Sequence, residues 1–297
     1  MPQIYDEQPN RRRFLQSSAG AIGLILTARR GLGNDAPYRD HWALLSDTHI
    51  PANIEEAYNG FRPYDNLKQI IPDVIRSKPS GVLICGDVAR LEGLPGDYER
   101  VKELLAPVRE VAPTVMALGN HDHRDNFRTA FAEAADGESR VSAGGKHVVV
   151  IEQQPVRMIV LDSLFTVNQT PGFLGKQQRD WLARYLAESD DTPTAIFVHH
   201  TLGDGDGELI DVPRLFELVE PIKKVKAILF GHSHVYSYTQ REGIHLINLP
   251  AVGYSFDKNQ PVGWVDAEWT CTGANLRLLA IGGNQEKHGE LVELVWR

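Results

Sequence analysis

Five short stretches gather the side chain types that bind transition metals: Asp47-Thr48-His49, Gly86-Asp87, Gly119-Asn120-His121-Asp122, His199-His200 and Gly231-His232-Ser233-His234. Carboxylates offset part of the charge on a divalent ion, neutral imidazoles supply directional nitrogen donors, and an Asn amide oxygen fills a coordination position without adding charge. Asp47 and His49 stand two apart, which in an extended segment directs both side chains to one face; His232 and His234 repeat the spacing. Each piece alone has a plain reading, since DxH, GD and GN are ordinary turn chemistry and a lone histidine is often a satisfied structural residue. Together they predict an enzyme built around two metal ions, in a site positive enough to hold a phosphoryl group.

The elements that must position these residues are legible as apolar runs. Trp42-Ala43-Leu44-Leu45 leads to Asp47, Val82-Leu83-Ile84-Cys85 to Asp87, and Val115-Met116-Ala117-Leu118 to Asn120. Between them Leu67, Ile70, Ile71, Val74 and Ile75 recur at helical spacing, as do Val101, Leu104, Leu105, Val108 and Val111. The pattern is β-α-β-α-β. Further strands are predicted over 147–151, 156–161, 195–198, 227–230 and 243–249, with one helix carrying Trp181, Leu182, Tyr185 and Leu186 and another over 212–225. The tail, with 276–280 and 291–295, predicts paired strands. The count fits two packed sheets with helices outside, an α/β class in which ligands gather beyond the carboxyl ends of strands. Glycines 86, 119 and 231 allow sharp turns and close backbone approach there. Trp264 and Trp269 are read as core, and Cys85 and Cys271 as two separate buried thiols rather than a disulfide scaffold.

Residues 1–36 carry a different layout. Asn10-Arg11-Arg12-Arg13-Phe14-Leu15-Gln16 precedes an apolar stretch rich in Gly, Ala and Ser, too short to cross a bilayer. This resembles a twin-arginine export signal, with Arg11 and Arg12 as the pair, and without a clean Ala-x-Ala cleavage site near Ala36. Removing residues 1–36 takes five arginines and three acids from the chain's 31 basic and 39 acidic residues, leaving 26 and 36, or -10. No basic footprint for general nucleic-acid binding remains. Residues 37–297 carry no linker, repeat or low-complexity tract and are expected to form one domain.

In order and content the five clusters resemble the signature of the calcineurin-like metallophosphoesterases: DxH, GD, GNH(D/E), a later His, then GHxH. The resemblance is nearest to the branch of bacterial cyclic-nucleotide and glycerophosphodiester phosphodiesterases. It implies a two-sheet β-sandwich flanked by helices, in four layers, and two divalent or mixed-valence ions drawn from Fe, Mn or Zn. Carried over, Asp47, His49 and His234 are implied as ligands of one metal and Asn120, His199 and His232 as ligands of the other, with Asp87 bridging. His121 is implied as the group facing the leaving-group oxygen. The implied activity is hydrolysis of a phosphodiester in a small substrate by a hydroxide activated between the ions. Phosphomonoester hydrolysis is the alternative, and a noncatalytic phosphate-ligand binding protein on the same fold is the reading from another class. Export through the folded-protein pathway would place the enzyme in the periplasm or otherwise outside the cytoplasm.

Four residues stand at the margin of the site. Asp122 is expected to support a histidine or to touch substrate. Arg124 would reach a phosphate oxygen or form an ordinary salt bridge at a helix start. Asp162 would support the site or cap a turn. His200 follows the expected ligand His199 but is followed by Thr201-Leu202 where the family pattern carries prolines, so its role between substrate, metal and loop support stays open.

Overall fold

The computed structural model describes residues 39–132 and 139–297, so the segment read as an export signal lies outside the described residues. Among the described residues thirteen strands form two sheets. The six-stranded sheet runs β13-β12-β11-β1-β2-β3 and the seven-stranded sheet β4-β5-β6-β7-β8-β10-β9. In the first, β1 (Asp40–Leu45), β2 (Gly81–Ile84) and β3 (Thr114–Met116) are mutually parallel. The antiparallel partners β11 (Pro261–Trp269), β12 (Gly273–Gly283) and β13 (Leu291–Val295) extend it from β1. In the second, β6 (Arg157–Leu161), β7 (Thr194–Val198), β8 (Val225–Phe230) and β10 (Ile244–Asn248) are parallel neighbours. They are flanked by β5 (Lys146–Ile151) with β4 (Ser139–Ala143) on one side and β9 (Ser237–Arg241) on the other.

Side-chain alternation along these strands explains the layering, because neighbouring residues face opposite sides of a sheet. Ala43, Leu45, Val82 and Ile84 pack against α1 (Pro63–Ser77), α2 (Pro95–Arg109) and α3 (Arg124–Ala130) through Leu67, Val101 and Phe127. Their alternates Trp42, Leu44, Leu83 and Cys85 meet Val160, Phe197 and Leu229 between the sheets. On the far side Ile196, Val198 and Ile228 pack under α4 (Lys176–Glu188) and α5 (Val212–Val219) through Leu182, Leu186, Leu215 and Phe216. The four-layer sandwich follows, and each fully buried aliphatic side chain in it contributes about 1.5–3 kcal/mol.

Several sequence expectations shift at their edges. The helix read over 212–225 stops at Val219 and Val225 opens β8, because Pro221 has no N–H to continue the helical ladder. Cys85 is a buried thiol as expected, but Cys271 is exposed, in the tight turn between β11 and β12 where Thr270 and Gly273 pair through their backbones. Trp264 and Trp269 are fully buried.

Candidate metal centre

All five clusters follow the carboxyl ends of parallel strands, three from one sheet and two from the other, so the two sheets present them to one another along a shared edge. The loops continue the strand ladder past its regular end. Asp47 N–H donates to Gly86 O (3.1 Å), His49 N–H to Asp87 O (2.9 Å) and Ile50 N–H to Val88 O (3.0 Å). Gly231 N–H donates to His199 O (2.8 Å), and Gly253 N–H to Asp47 O (2.9 Å) ties the sheets together. Asp47 and His49 do converge, though not by extended alternation. Their φ angles are 52° and 47°, both left-handed, and Asp87 (47°), His232 (72°) and His234 (55°) share that conformation. Non-glycine residues adopt it at a cost of order 1 kcal/mol or more each, a strain that surrounding hydrogen bonds must hold in place and that concentrates at functional sites. Room is made by glycine: a Cβ at Gly119 would collide with the Asp87 carboxylate and lie 2.6 Å from His199 Nε2.

The side chains form adjacent groups whose ligand atoms lie within 4.8 Å of one another: Asp47, His49 and His234; Asp87, His199 and His232; and, between these, His49, Asp87 and His121. His234 Nε2 stands 3.3 Å from Asp47 Oδ1 and 3.0 Å from His49 Nε2. The two Asp87 oxygens face different ways, Oδ1 lying 3.3 Å from His199 Nε2 and Oδ2 3.7 Å from His49 Nε2. Backbone carbonyls select which imidazole nitrogen faces inward. His199 Nδ1–H donates to Cys85 O (2.8 Å) and His234 Nδ1–H to Tyr254 O (2.7 Å), leaving Nε2 of each for the cluster. His232 Nε2–H donates to Gly207 O (2.9 Å), leaving Nδ1. His121 Nδ1–H donates to Leu91 O (3.0 Å), with Leu91 itself left-handed at φ 49°.

These groups fit a pair of metal ions. His199 Nε2 and Asn120 Oδ1 are buried without a hydrogen-bond partner among the described residues, an expensive arrangement for donor atoms that have no other use. Burial alone would push the Asp87 and Asp47 carboxyls up, but the surrounding imidazoles hold both well below the ordinary carboxylate range. Burial drives the His49 imidazole well down and that of His232 down, so both stay neutral as metal ligation requires. Burial also opposes charge on His199, yet Asp87 and Asp47 outweigh it and push that group up to about 9. The two buried carboxylates thus attract a cation, and the donor set of His, Asp and Asn suits Fe, Mn or Zn.

The sequence model of the calcineurin-like phosphoesterases matches residues 42–236 of the 297. The chain belongs to this family. Among named relatives, a probable cyclic nucleotide phosphodiesterase of Rhodococcus erythropolis is 30% identical over 244 residues, 78% of this chain and 77% of its own. The glycerophosphodiester phosphodiesterase GpdQ of Enterobacter lignolyticus is 25% identical over 231 residues, 74% of this chain and 81% of its own. A dimetal phosphatase from Danio rerio has the same fold, with a TM-score of 0.69 at 16% identity, over 88% of this chain and all of that one. As in that family, the paired His and Asp groups constitute a binuclear metal centre for phosphoester hydrolysis.

The remaining residues of this phosphoesterase divide into those that brace the centre and those outside it. Among the described residues the hydrogen bonds of the Asp122 carboxylate go to backbone amides and a tyrosine, none to a histidine side chain. It is fully buried and accepts from the backbone N–H groups of Val88 (3.1 Å), Ala89 (3.1 Å) and Gly119 (2.9 Å) and from Tyr98 Oη (3.1 Å), locking the loop after β2 to the loop after β3. Burial, with Asp87 nearby, pushes its carboxyl up to about 6 against the pull of these amides. Arg124 is engaged by Asp162 through Nε (2.7 Å) and Nη2 (3.0 Å), and by Leu164 O, the salt-bridge alternative. Asp162 also accepts from His147 N–H (2.8 Å) and so braces the loop that follows β6. His200 is buried, its Nδ1 bonded to Ser163 Oγ (2.7 Å) and its ring packed on His232 with centroids 4.7 Å apart. Its Nε2 has no hydrogen-bond partner among the described residues. Sequence reasoning missed Tyr98, Arg90 and the aromatic residues Tyr58, Tyr254 and Phe256 beside His49 and His234. No motif signals them: Tyr98 lies on α2 and the others in loops that only the fold brings to the site.

Proposed function

We propose that this phosphoesterase hydrolyses a phosphodiester bond in a small substrate, with Asp47, His49 and His234 holding one ion, Asn120, His199 and His232 the other, and Asp87 shared. The observation that carries the reading is the split of the Asp87 carboxylate, one oxygen toward each group of imidazoles. When bound, the ion pair would supply the charge that binds the phosphoryl oxygens and activates water as the nucleophile. The chain's own part is orientation and proton handling. The backbone carbonyls fix each imidazole, the left-handed loops hold the carboxylates inward, and Asp122 stiffens the two loops that carry Asp87 and Asn120.

In this reading His121 is the donor to the leaving-group oxygen. With Nδ1 committed to Leu91 O, Nε2 faces the cluster at 4.0 Å from Asp87 Oδ2, and the side chain retains 19% exposure while those of His49, His199 and His234 are buried. It alone of these four can meet a departing alkoxide near solvent. The names of the relatives, a cyclic nucleotide phosphodiesterase and a glycerophosphodiester phosphodiesterase, support a diester over a monoester. The acidic balance disfavours long nucleic acid as that diester and favours a small one. Kinetics of metal-loaded protein on bis(p-nitrophenyl) phosphate and p-nitrophenyl phosphate test this: a diesterase advantage is expected, and a large monoesterase advantage reverses it. His121→Ala should keep two ions per chain while lowering turnover; loss of the ions would make His121 a ligand.

The same reading includes export in the folded state, supported by Arg11-Arg12 with Phe14-Leu15 and by the sense of loading metal before translocation. Lys at both positions 11 and 12 should retain the precursor inside the cell. Wild-type protein found wholly in the cytoplasm with residues 1–36 intact would end this part of the proposal.

A further inference from the structure

A wall of rings stands beside the Asp47–His49–His234 group. His49 stacks on Tyr254 with centroids 4.7 Å apart at 30°, and His234 on Phe256 at 4.5 Å and 29°. Tyr58 packs on Tyr254 at 4.7 Å and meets Phe256 edge-on at 6.5 Å and 86°. Two loops supply these rings, one between β1 and α1 and one between β10 and β11; Asn59 Nδ2 fastens the first to the second at Ser255 O (3.1 Å), and Asn66 on α1 holds the second through Nδ2 to Val252 O (3.0 Å) and Gly253 O (2.9 Å). Tyr254 O is the acceptor that orients His234, so one short stretch sets a metal-facing imidazole and carries the rings. Arg90, held by Glu56 at 2.8 Å, lies 5.3 Å from the Tyr58 ring centroid.

Tyr254 is buried, whereas Phe256 is 60% and Tyr58 40% exposed. A stacked ring left open to water, on loops fastened this firmly, has a surface ready for a ligand. Its position says which ligand. A phosphorus held at the neighbouring group can direct one ester substituent over these residues, and Phe256, the most exposed of them, offers a ring without the hydrogen-bonding groups that a polyol would need. We propose that Tyr58 and Phe256, backed by Tyr254, form a subsite that stacks a planar aromatic ring on the substrate's ester group and so sets the enzyme's preference for ring-bearing phosphoesters. The inference rests on the proposed placement of the phosphoryl group at the metal centre. Arg90 is a positioning residue that fixes the Tyr58 ring.

Calorimetric binding of phenylphosphonate and methylphosphonate to the metal-loaded protein tests the subsite without requiring turnover. Phenylphosphonate should bind roughly tenfold tighter. That ratio should fall toward one in Phe256→Ala and Tyr58→Ala and be restored in Phe256→Tyr, with metal content checked in each variant. Equal binding of the two phosphonates by wild type, or a ratio unmoved in both alanine variants, overturns the subsite. If diesters are hydrolysed without any phenyl preference, the subsite fails and the enzymatic reading stands. A phenyl preference lost in Phe256→Ala, in a protein that hydrolyses no phosphoester, keeps the subsite and removes the diesterase reading.

Discussion

Tyr98 on α2 joins the helix layer to the metal loops, and Tyr98→Phe isolates that link. Its hydroxyl donates to Asp122 Oδ1 (3.1 Å) and accepts from His123 N–H (2.8 Å), while its ring packs edge-on against Phe127 and Phe131. Phenylalanine keeps the ring contacts and removes only the oxygen. Asp122 loses a hydrogen bond to a charged acceptor, worth about 1.5–3 kcal/mol, and the His123 N–H is orphaned at about 1–3 kcal/mol. Against this stands the lower cost of burying a phenyl ring than a hydroxyl, so the net loss should be about 3 kcal/mol. For a chain of this size that corresponds to a fall in melting temperature of roughly 6–12 °C. Denaturant unfolding of the metal-free protein should be compared, because bound ions would add their own stabilisation. The loosened Asn120–Asp122 loop should also weaken metal binding by roughly tenfold, as bracing groups around metal sites typically do. A variant within 0.5 kcal/mol of wild type in stability, and unchanged in metal affinity, would refute the view that Asp122 and Tyr98 brace the centre.

Gly119→Ala puts a methyl against the Asp87 carboxylate and His199, so it should abolish metal uptake as read by elemental analysis; a variant with two ions would refute the close-approach argument. Arg297 donates to the carbonyls of Val219, Glu220, Ile222, Val225 and Glu242, stapling the end of α5, and Arg297→Ala should cost about 3 kcal/mol in denaturant unfolding at unchanged kcat. His41 pairs with Asp266 across β1 and β11, and that hydrogen bond raises the imidazole above its ordinary value. A raised folded value means the pair's stabilisation is full below the ordinary pKa of about 6.5 and is lost as pH rises through the folded one. Asp266→Asn should flatten this part of the pH–stability profile; parallel profiles would count against the pair.

The positions of the metal-facing residues were legible because each follows a buried apolar run, and strand ends are where an α/β sheet gathers its ligands. Their conformation was not: the two-residue spacing of Asp47 and His49 suggested an extended face, while hydrogen bonding to the neighbouring loop holds both in left-handed turns. Strand β9 was missed because Ser237–Arg241 is exposed throughout and carries no apolar alternation. Strand β11 was missed although its Trp264 and Trp269 were read as core, since Pro261 and Gly263 interrupt the pattern. Asp122 was expected to support a histidine or to touch substrate; its four donors come from its own loop at Gly119 and from Val88, Ala89 and Tyr98, which reach it only in the fold. The aromatic wall had no signal for the same reason, as Tyr58 and Phe256 lie in loops far apart in sequence that meet through Asn59 and Ser255, Asp47 and Gly253, and packing.

The central claim is that the clustered His and Asp residues hold two ions that hydrolysis requires. Chelated protein titrated with Mn²⁺, with bound metal and bis(p-nitrophenyl) phosphate hydrolysis measured on the same samples, tests it most directly. The account predicts no activity without metal, full activity as binding approaches two ions per chain, and weakened binding at both sites in Asp87→Asn. Metal-free protein that hydrolyses the diester at full rate would contradict it.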